Sequence, residues 1–92
     1  MDNTQKRSLC RVCGWLFNSP VRDEEGFGSY DICPACGCEA GNHDWTLEDA
    51  REYRQQWIAN GMKWWFPDPK VKPIPKNWDP VEQMKNIPPE WR

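Results

Sequence analysis

Four of the five cysteines in these 92 residues form two matched pairs, Cys10-Arg11-Val12-Cys13-Gly14 and Cys33-Pro34-Ala35-Cys36-Gly37, with nineteen residues between them. Two intervening residues let both sulfurs of one turn reach a single ion at about 2.3 Å, and the distance between the pairs is that of a four-thiolate zinc site. A glycine directly after each second cysteine permits the positive φ that turns backbone amides towards the sulfurs. Pro34 pre-sets the second turn. The pattern predicts one Zn²⁺ held tetrahedrally by Cys10, Cys13, Cys33 and Cys36. Two other chemistries use similar pairs. Cys33-Pro34-Ala35-Cys36 also has the form of a thioredoxin-type redox turn, but that chemistry needs a helix N-terminus inside a βαβ framework, of which the chain shows little. Four thiolates also hold iron in rubredoxins, so spacing alone leaves iron electron transfer open beside zinc.

Cys38 is left over and reads as a small buried apolar residue beside the site. His43, the single histidine, sits seven residues after Cys36 and reads as a surface group or one that lies behind the ligands. A Cys38 and His43 nucleophile pair would lack both an orienting third group and an oxyanion site. No catalytic constellation is expected, and the chain reads as a protein other than an enzyme.

The elements that must position the cysteines are few. A chain of this length, 38% hydrophobic, builds one small domain that needs a staple. The expected class is a small metal-stapled α+β fold: a zinc ribbon of two knuckles and short antiparallel strands, one amphipathic helix, and a proline-rich wrapping tail. Strand-like stretches are expected at Leu9-Cys10, at Trp15-Leu16-Phe17 and over residues 29–32. Pro20, Gly26, Gly28 and the run Asp23-Glu24-Glu25 mark an exposed loop between the knuckles. Residues 46–60 predict a helix, capped by Thr46 with Asp49 and stopped by Gly61. Leu47, Ala50, Tyr53, Trp57 and Ile58 make its apolar stripe, with Arg54 among the residues off it. Residues 1–66 are read as the ribbon and helix domain and residues 67–92 as the tail. The tail carries seven of the nine prolines, and Asp79-Pro80 with Glu82 predicts a cap, first turn and capping box for a short helix to about Asn86.

Charge and texture narrow the setting. Residues 1–8 are polar, without the apolar core of a signal peptide, and the run Trp64-Trp65-Phe66 is too short to cross a bilayer. A reducing cytoplasm is therefore expected, with no membrane partner. The formal net charge is −2, and residues 1–65 hold seven basic against ten acidic side chains, so nucleic acid is not the expected partner. If it were, Lys6, Arg7, Arg11 and Arg22 with Lys70, Lys72 and Lys76 would form the patch.

Seven tryptophans are a heavy load. Trp15, Trp45 and Trp57 are expected inside, and Trp64, Trp65, Trp78 and Trp91 divide between packing and interface anchoring. The segments over residues 29–39, 53–65 and 77–80 together resemble small bacterial cysteine-rich CPCC-type proteins with rubredoxin-like zinc knuckles, from Cys10 to about Lys85. The first knuckle departs from that pattern in lacking a proline, and Cys38 stands where an aromatic residue is usual. The resemblance implies a rubredoxin-like zinc-ribbon module, similar to proteins near polymorphic-toxin loci where small partner-binding proteins serve as immunity factors. The expected function is accordingly a non-catalytic protein-binding module, an immunity protein that occludes a cognate toxin domain. Asp23, Glu24, Glu25, Glu48, Glu52, Trp64 and Trp65 are its expected contact residues, because acidic surface would meet a basic cleft. A nucleic-acid-binding zinc ribbon and an iron electron-transfer protein are the alternatives.

Overall fold

Both Cys-x-x-Cys-Gly segments fold into the same turn, and the rest of the chain is arranged around that repetition. The structure is a computed structural model that describes residues 3–68 and 70–92, with side chains described from residue 5 onward. Readings that fall on Met1, Asp2 and Pro69 lie outside the described residues. In the first turn the amide of Gly14 donates to the carbonyl of Cys10 at 3.0 Å, and the amide of Cys10 donates to that of Trp15 at 2.9 Å. In the second, Gly37 donates to Cys33 at 2.8 Å and Cys33 to Cys38 at 2.9 Å. Both glycines have φ of 83°. A side chain there would be strained by that φ and would also collide, because a Cβ on Gly14 would lie 2.5 Å from the Gln83 carbonyl oxygen and one on Gly37 would lie 2.4 Å from the Trp65 ring.

The antiparallel strands expected of a ribbon do not form among the described residues. Three isolated bridges stand in their place, Leu9 with Leu16, Arg22 with Gly28, and Ile32 with Glu39. The local reason is visible at residues 29–32, where Tyr30 takes φ of 64° and breaks the extended run. Its amide still reaches the carbonyl of Ala40 at 2.9 Å, so neighbouring segments are pinned by single bonds instead of a ladder.

Helix α1 spans Asn3–Arg7, α2 spans Leu47–Ala59, α3 spans Pro80–Met84, and a single 3-10 turn covers Pro89–Trp91. Helix α2 begins as its sequence specifies: the Thr46 side chain accepts the Asp49 amide at 3.0 Å, and the Asp49 carboxylate accepts the Thr46 amide. After Asn60 the chain turns through Gly61 and Met62, both at positive φ, and returns towards the second knuckle. Helix α3 is capped by Asp79, which accepts the amides of Val81 and Glu82. No reciprocal bond from Glu82 completes a box; its carboxylate takes the Lys85 ammonium at 3.0 Å.

Two expectations about burial are corrected. Trp45 is 59% exposed, because the chain turns its neighbour Asp44 inward to accept the Gly41 amide at 2.7 Å and to pair with the buried Arg22. Arg54, placed off the stripe of α2 by its charge, is buried with Ala50 and Trp57, whereas Ile58 of the expected stripe is exposed. Arg54 spans the molecule: Nε donates to the Val12 carbonyl at 2.7 Å, and Nη2 to those of Arg11 at 2.7 Å and Trp91 at 3.0 Å.

Large apolar side chains contribute little to the interior. The main cluster consists of the five cysteines with Val12, Ala35, Ala50 and Trp57. A second, smaller cluster joins Leu9 to Ile87 and Trp91, so the end of the chain closes over the entry to the first knuckle. Trp15, Trp64 and Trp78 stack edge to face in series, each neighbouring pair 5.2 Å apart between centroids.

Hydrogen bonds to a charged donor contribute about 1.5–3 kcal/mol each, and removing the donor strands buried carbonyls. Arg54→Met, which keeps most of the stem, is therefore expected to lower unfolding free energy by at least about 3 kcal/mol in a denaturant titration of the metal-loaded chain. A loss below about 1 kcal/mol would show that the three carbonyls find other donors.

Candidate metal centre

The two turns face each other so that Cys10, Cys13, Cys33 and Cys36, all buried, bring their sulfurs within 4.8 Å of one another. Across the site, Cys10 lies 3.7 Å from Cys36 and Cys13 lies 3.5 Å from Cys33. A tetrahedron with metal–sulfur bonds of about 2.3 Å has edges of about 3.8 Å, so these separations admit one ion at the centre with small adjustments. The donor set is all sulfur, which suits zinc or iron and excludes nothing between them. A bound ion there would supply a tetrahedral cross-link between the knuckles.

The surroundings hold the turns in place through their carbonyls, and the two knuckles are served by different partners at matching positions. The Cys13 carbonyl accepts from Gln83 Nε2 at 3.2 Å, and the equivalent Cys36 carbonyl accepts from the Tyr53 hydroxyl at 3.1 Å. The Arg11 and Val12 carbonyls take the Arg54 guanidinium, whereas the equivalent Pro34 and Ala35 carbonyls both take the Trp65 amide at 3.1 Å. Asn86 Nδ2 donates to the Gly14 carbonyl at 3.3 Å. Each bond satisfies a buried acceptor that the tight turn leaves without a helical or strand partner.

Burial and the hydrogen bonds among the sulfurs push the thiols in opposite directions. Hydrogen bonds from Cys13, and then from Cys33, Cys36 and Cys38, bring the Cys10 thiol well below its ordinary pKa. Burial, and next the hydrogen bond to Cys10, push Cys13 and Cys36 well above it. Further thiolates need a cation among them. Cys38 is fully buried beside the four; its hydrogen bond to Cys10, and then burial, raise its pKa and keep it a thiol. It occupies the position in the second knuckle that Trp15 occupies in the first. Tyr53 is pushed up to about 12 by burial and by the sulfurs, Cys36 foremost.

The remaining expected site residues are scattered. Asp23, Glu24 and Glu25 are exposed and line a cleft together with Lys6, Arg7, Arg11 and Arg22. Glu48 and Glu52 are exposed on α2, and Glu52 lines a different recess with His43 and Tyr53. His43 stacks on Tyr53 with centroids 5.2 Å apart, and its Nδ1 accepts the Glu39 amide at 3.0 Å. Trp64 is packed between Trp15 and Trp78, and Trp65 is partly exposed with its ring over Gly37. Sequence reading missed Arg54, Tyr53 and Gln83 as supports of the knuckles. One signal for Arg54 was available: Ala50, Arg54 and Trp57 follow the i, i+4, i+7 rhythm of a buried stripe.

Fold and site together define a small cysteine-rich protein whose four-cysteine cluster fits a metal ion. Comparison with known proteins adds relatives without adding an activity. The chain is 39% identical to the uncharacterized protein YozI of Bacillus subtilis (strain 168), over 63% of this chain and 62% of that protein. It is 35% identical to the uncharacterized protein YoaQ of the same strain, over 63% of each. The chain thus spans less than two thirds of the length of these curated relatives. No family model and no solved structure matches it. Among the described residues no helix is long and apolar enough to cross a membrane.

One metal ion per chain is expected by elemental analysis. Serine at Cys10, Cys13, Cys33 or Cys36 should each release it and unfold the chain, because binding and folding are coupled in so small a core. Cys38→Ser should keep the metal and the fold, at a modest loss of melting temperature. Metal lost from Cys38→Ser and kept by one of the other four variants would reassign the ligands.

Proposed function

We propose that the chain is a non-catalytic, zinc-stapled protein-binding module of zinc-ribbon type, and that it acts in the cytoplasm as an immunity protein that occludes a cognate toxin domain. The observation that carries the non-catalytic part is the burial of all four cysteines around one point. A site with four thiolate ligands closed off from solvent has no position for a substrate or a water, which is the form of a structural centre. The partner reading is supported by the resemblance to immunity-type proteins and by the exposed carboxylates of Asp23, Glu24, Glu25, Glu48 and Glu52. The half-exposed Trp65, whose ring lies over Gly37 apart from those carboxylates, would be a separate aromatic anchor.

Zinc is taken in preference to iron from the resemblance to zinc-knuckle proteins, since four thiolates suit both ions. A preparation from cells supplied with both metals should be colourless and contain zinc. A red preparation with iron in the site would instead support electron transfer. For the partner, a toxin domain encoded beside this gene should co-purify with it, and a gene neighbourhood without one counts against the reading. Replacing Asp23, Glu24 and Glu25 by lysine should slow association with the purified toxin at low salt while leaving metal content and melting temperature nearly unchanged, because rim charges act on the on-rate. Unchanged association would remove this loop from the interface.

A further inference from the structure

Where α2 ends and the chain turns back to the second knuckle, the sequence reads Asn60-Gly61, and Asn60 is the one asparagine in the chain with glycine after it. An asparagine side chain and the next backbone nitrogen can close a five-membered ring, and glycine, with no Cβ, leaves that nitrogen unshielded. Asn60 is exposed, and its side-chain amide makes no hydrogen bond among the described residues. Only the backbone keeps the two reacting atoms apart.

That backbone is firmly held. Asn60 has ψ of 7°, which nearly eclipses the Gly61 nitrogen with the Asn60 nitrogen and so turns it away from the Asn60 side chain. The Gly61 amide donates to the Ile58 carbonyl at 3.0 Å and the Met62 amide to the Trp57 carbonyl at 2.9 Å, with Gly61 at φ of 96°. These are the two bonds of a Schellman cap, and they fix ψ of Asn60. The cap depends in turn on the core. Trp57 is buried in the cluster of the five cysteines, and its Nε1 donates to the Lys63 carbonyl at 3.0 Å. Two residues further on, the Trp65 amide meets the Pro34 and Ala35 carbonyls of the second knuckle. Loss of the metal, by undoing the knuckles and the cluster around Trp57, frees the Asn60-Gly61 bond to rotate.

We propose that Asn60 is a self-modification site, closed in the metal-loaded fold and opened when the metal leaves. The Gly61 nitrogen attacks Asn60 Cγ, the new C–N bond closes a succinimide, and the side-chain nitrogen departs as ammonia with the proton of the Gly61 amide. Water then opens the ring. Attack at the side-chain carbonyl leaves aspartate; attack at the backbone carbonyl leaves isoaspartate, whose main chain runs through an added methylene. No oxidant or cofactor takes part. The added backbone atom spoils the spacing of both cap bonds, and the new carboxylate sits at the negative end of the helix dipole. An isoaspartyl chain therefore no longer returns residues 63–65 to the second knuckle, and metal loss becomes irreversible. The gating rests on the coupling of metal and fold, and needs neither a protein partner nor a particular metal.

The test incubates the full chain at neutral pH with a reductant, one sample metal-loaded and one held metal-free by a chelator. Intact mass, isoaspartate in the peptide that contains residue 60, and metal rebinding are followed together. The metal-free sample should convert Asn60 from amide to acid at least about tenfold faster than the loaded one. It should lose the capacity to take the metal back in proportion to its isoaspartate. Asn60→Gln, whose longer side chain closes the ring far more slowly, should regain full metal binding after the same incubation. Asn60→Asp, which carries the charge without the added backbone atom, should bind metal when freshly made. Equal conversion rates in the two samples overturn the gating, whether or not the metal-free chain has unfolded. Isoaspartate at residue 60 with undiminished metal uptake, or an Asn60→Gln chain that loses uptake as fast as the parent, overturns the irreversible step.

Discussion

Five thiols crowd the centre of this molecule, where a domain of ordinary composition would have leucine and phenylalanine. The largest side chains that are fully buried are Val12, Val21, Asp44, Cys13, Cys33 and Cys38, and apart from Trp57 and Trp91 no large ring lies deep. Trp15, Phe17, Tyr53, Met62, Trp64, Trp78 and Met84 pack against this centre only partly buried, and the three isolated bridges add no ladder. The fold therefore depends on what joins the four converging sulfurs. Thiols alone make weak hydrogen bonds, and more than one thiolate in that space is self-repelling, so a cation that the four sulfurs could hold would be the interaction from which the other features follow.

Given that centre, the remaining architecture is a solution to one problem posed twice. Each knuckle exposes the same set of carbonyls to the interior, and each must find donors. The first knuckle draws them from α2 through Arg54 and from α3 through Gln83, with Asn86 just beyond it. The second draws them from Tyr53 and from the returning backbone at Trp65. The identical turns are thus clamped by unlike elements, which explains why both knuckle glycines lie under close neighbours. It also explains the position of the tail end, whose Ile87 and Trp91 cover Leu9 and whose Trp91 carbonyl shares the Arg54 guanidinium.

The cysteine spacing carried the centre of the structure into view from sequence, since sulfur chemistry and a two-residue turn leave few alternatives. The caps at Thr46 and Asp79 were legible for the same reason: each is a local bond between near neighbours. Features that depend on distant partners were hidden. The strand-like alternation at residues 29–32 gave no sign that Tyr30 would adopt a positive φ and cut the strand. Trp45 looked like core by its type, yet the buried Arg22 and Asp44 pair, 22 residues apart, claims the space. Arg54 looked like surface by its charge, and only the carbonyls of a turn 42 residues away give it a reason to be inside.

The central claim is that the metal ion and the folded state stand or fall together. The most direct test is to add a strong chelator to the purified chain and follow metal release and the dispersion of amide proton signals in the same sample. The account predicts that dispersion collapses in step with metal loss and returns when one equivalent of the ion is restored. A metal-free chain that keeps its dispersed spectrum would contradict it.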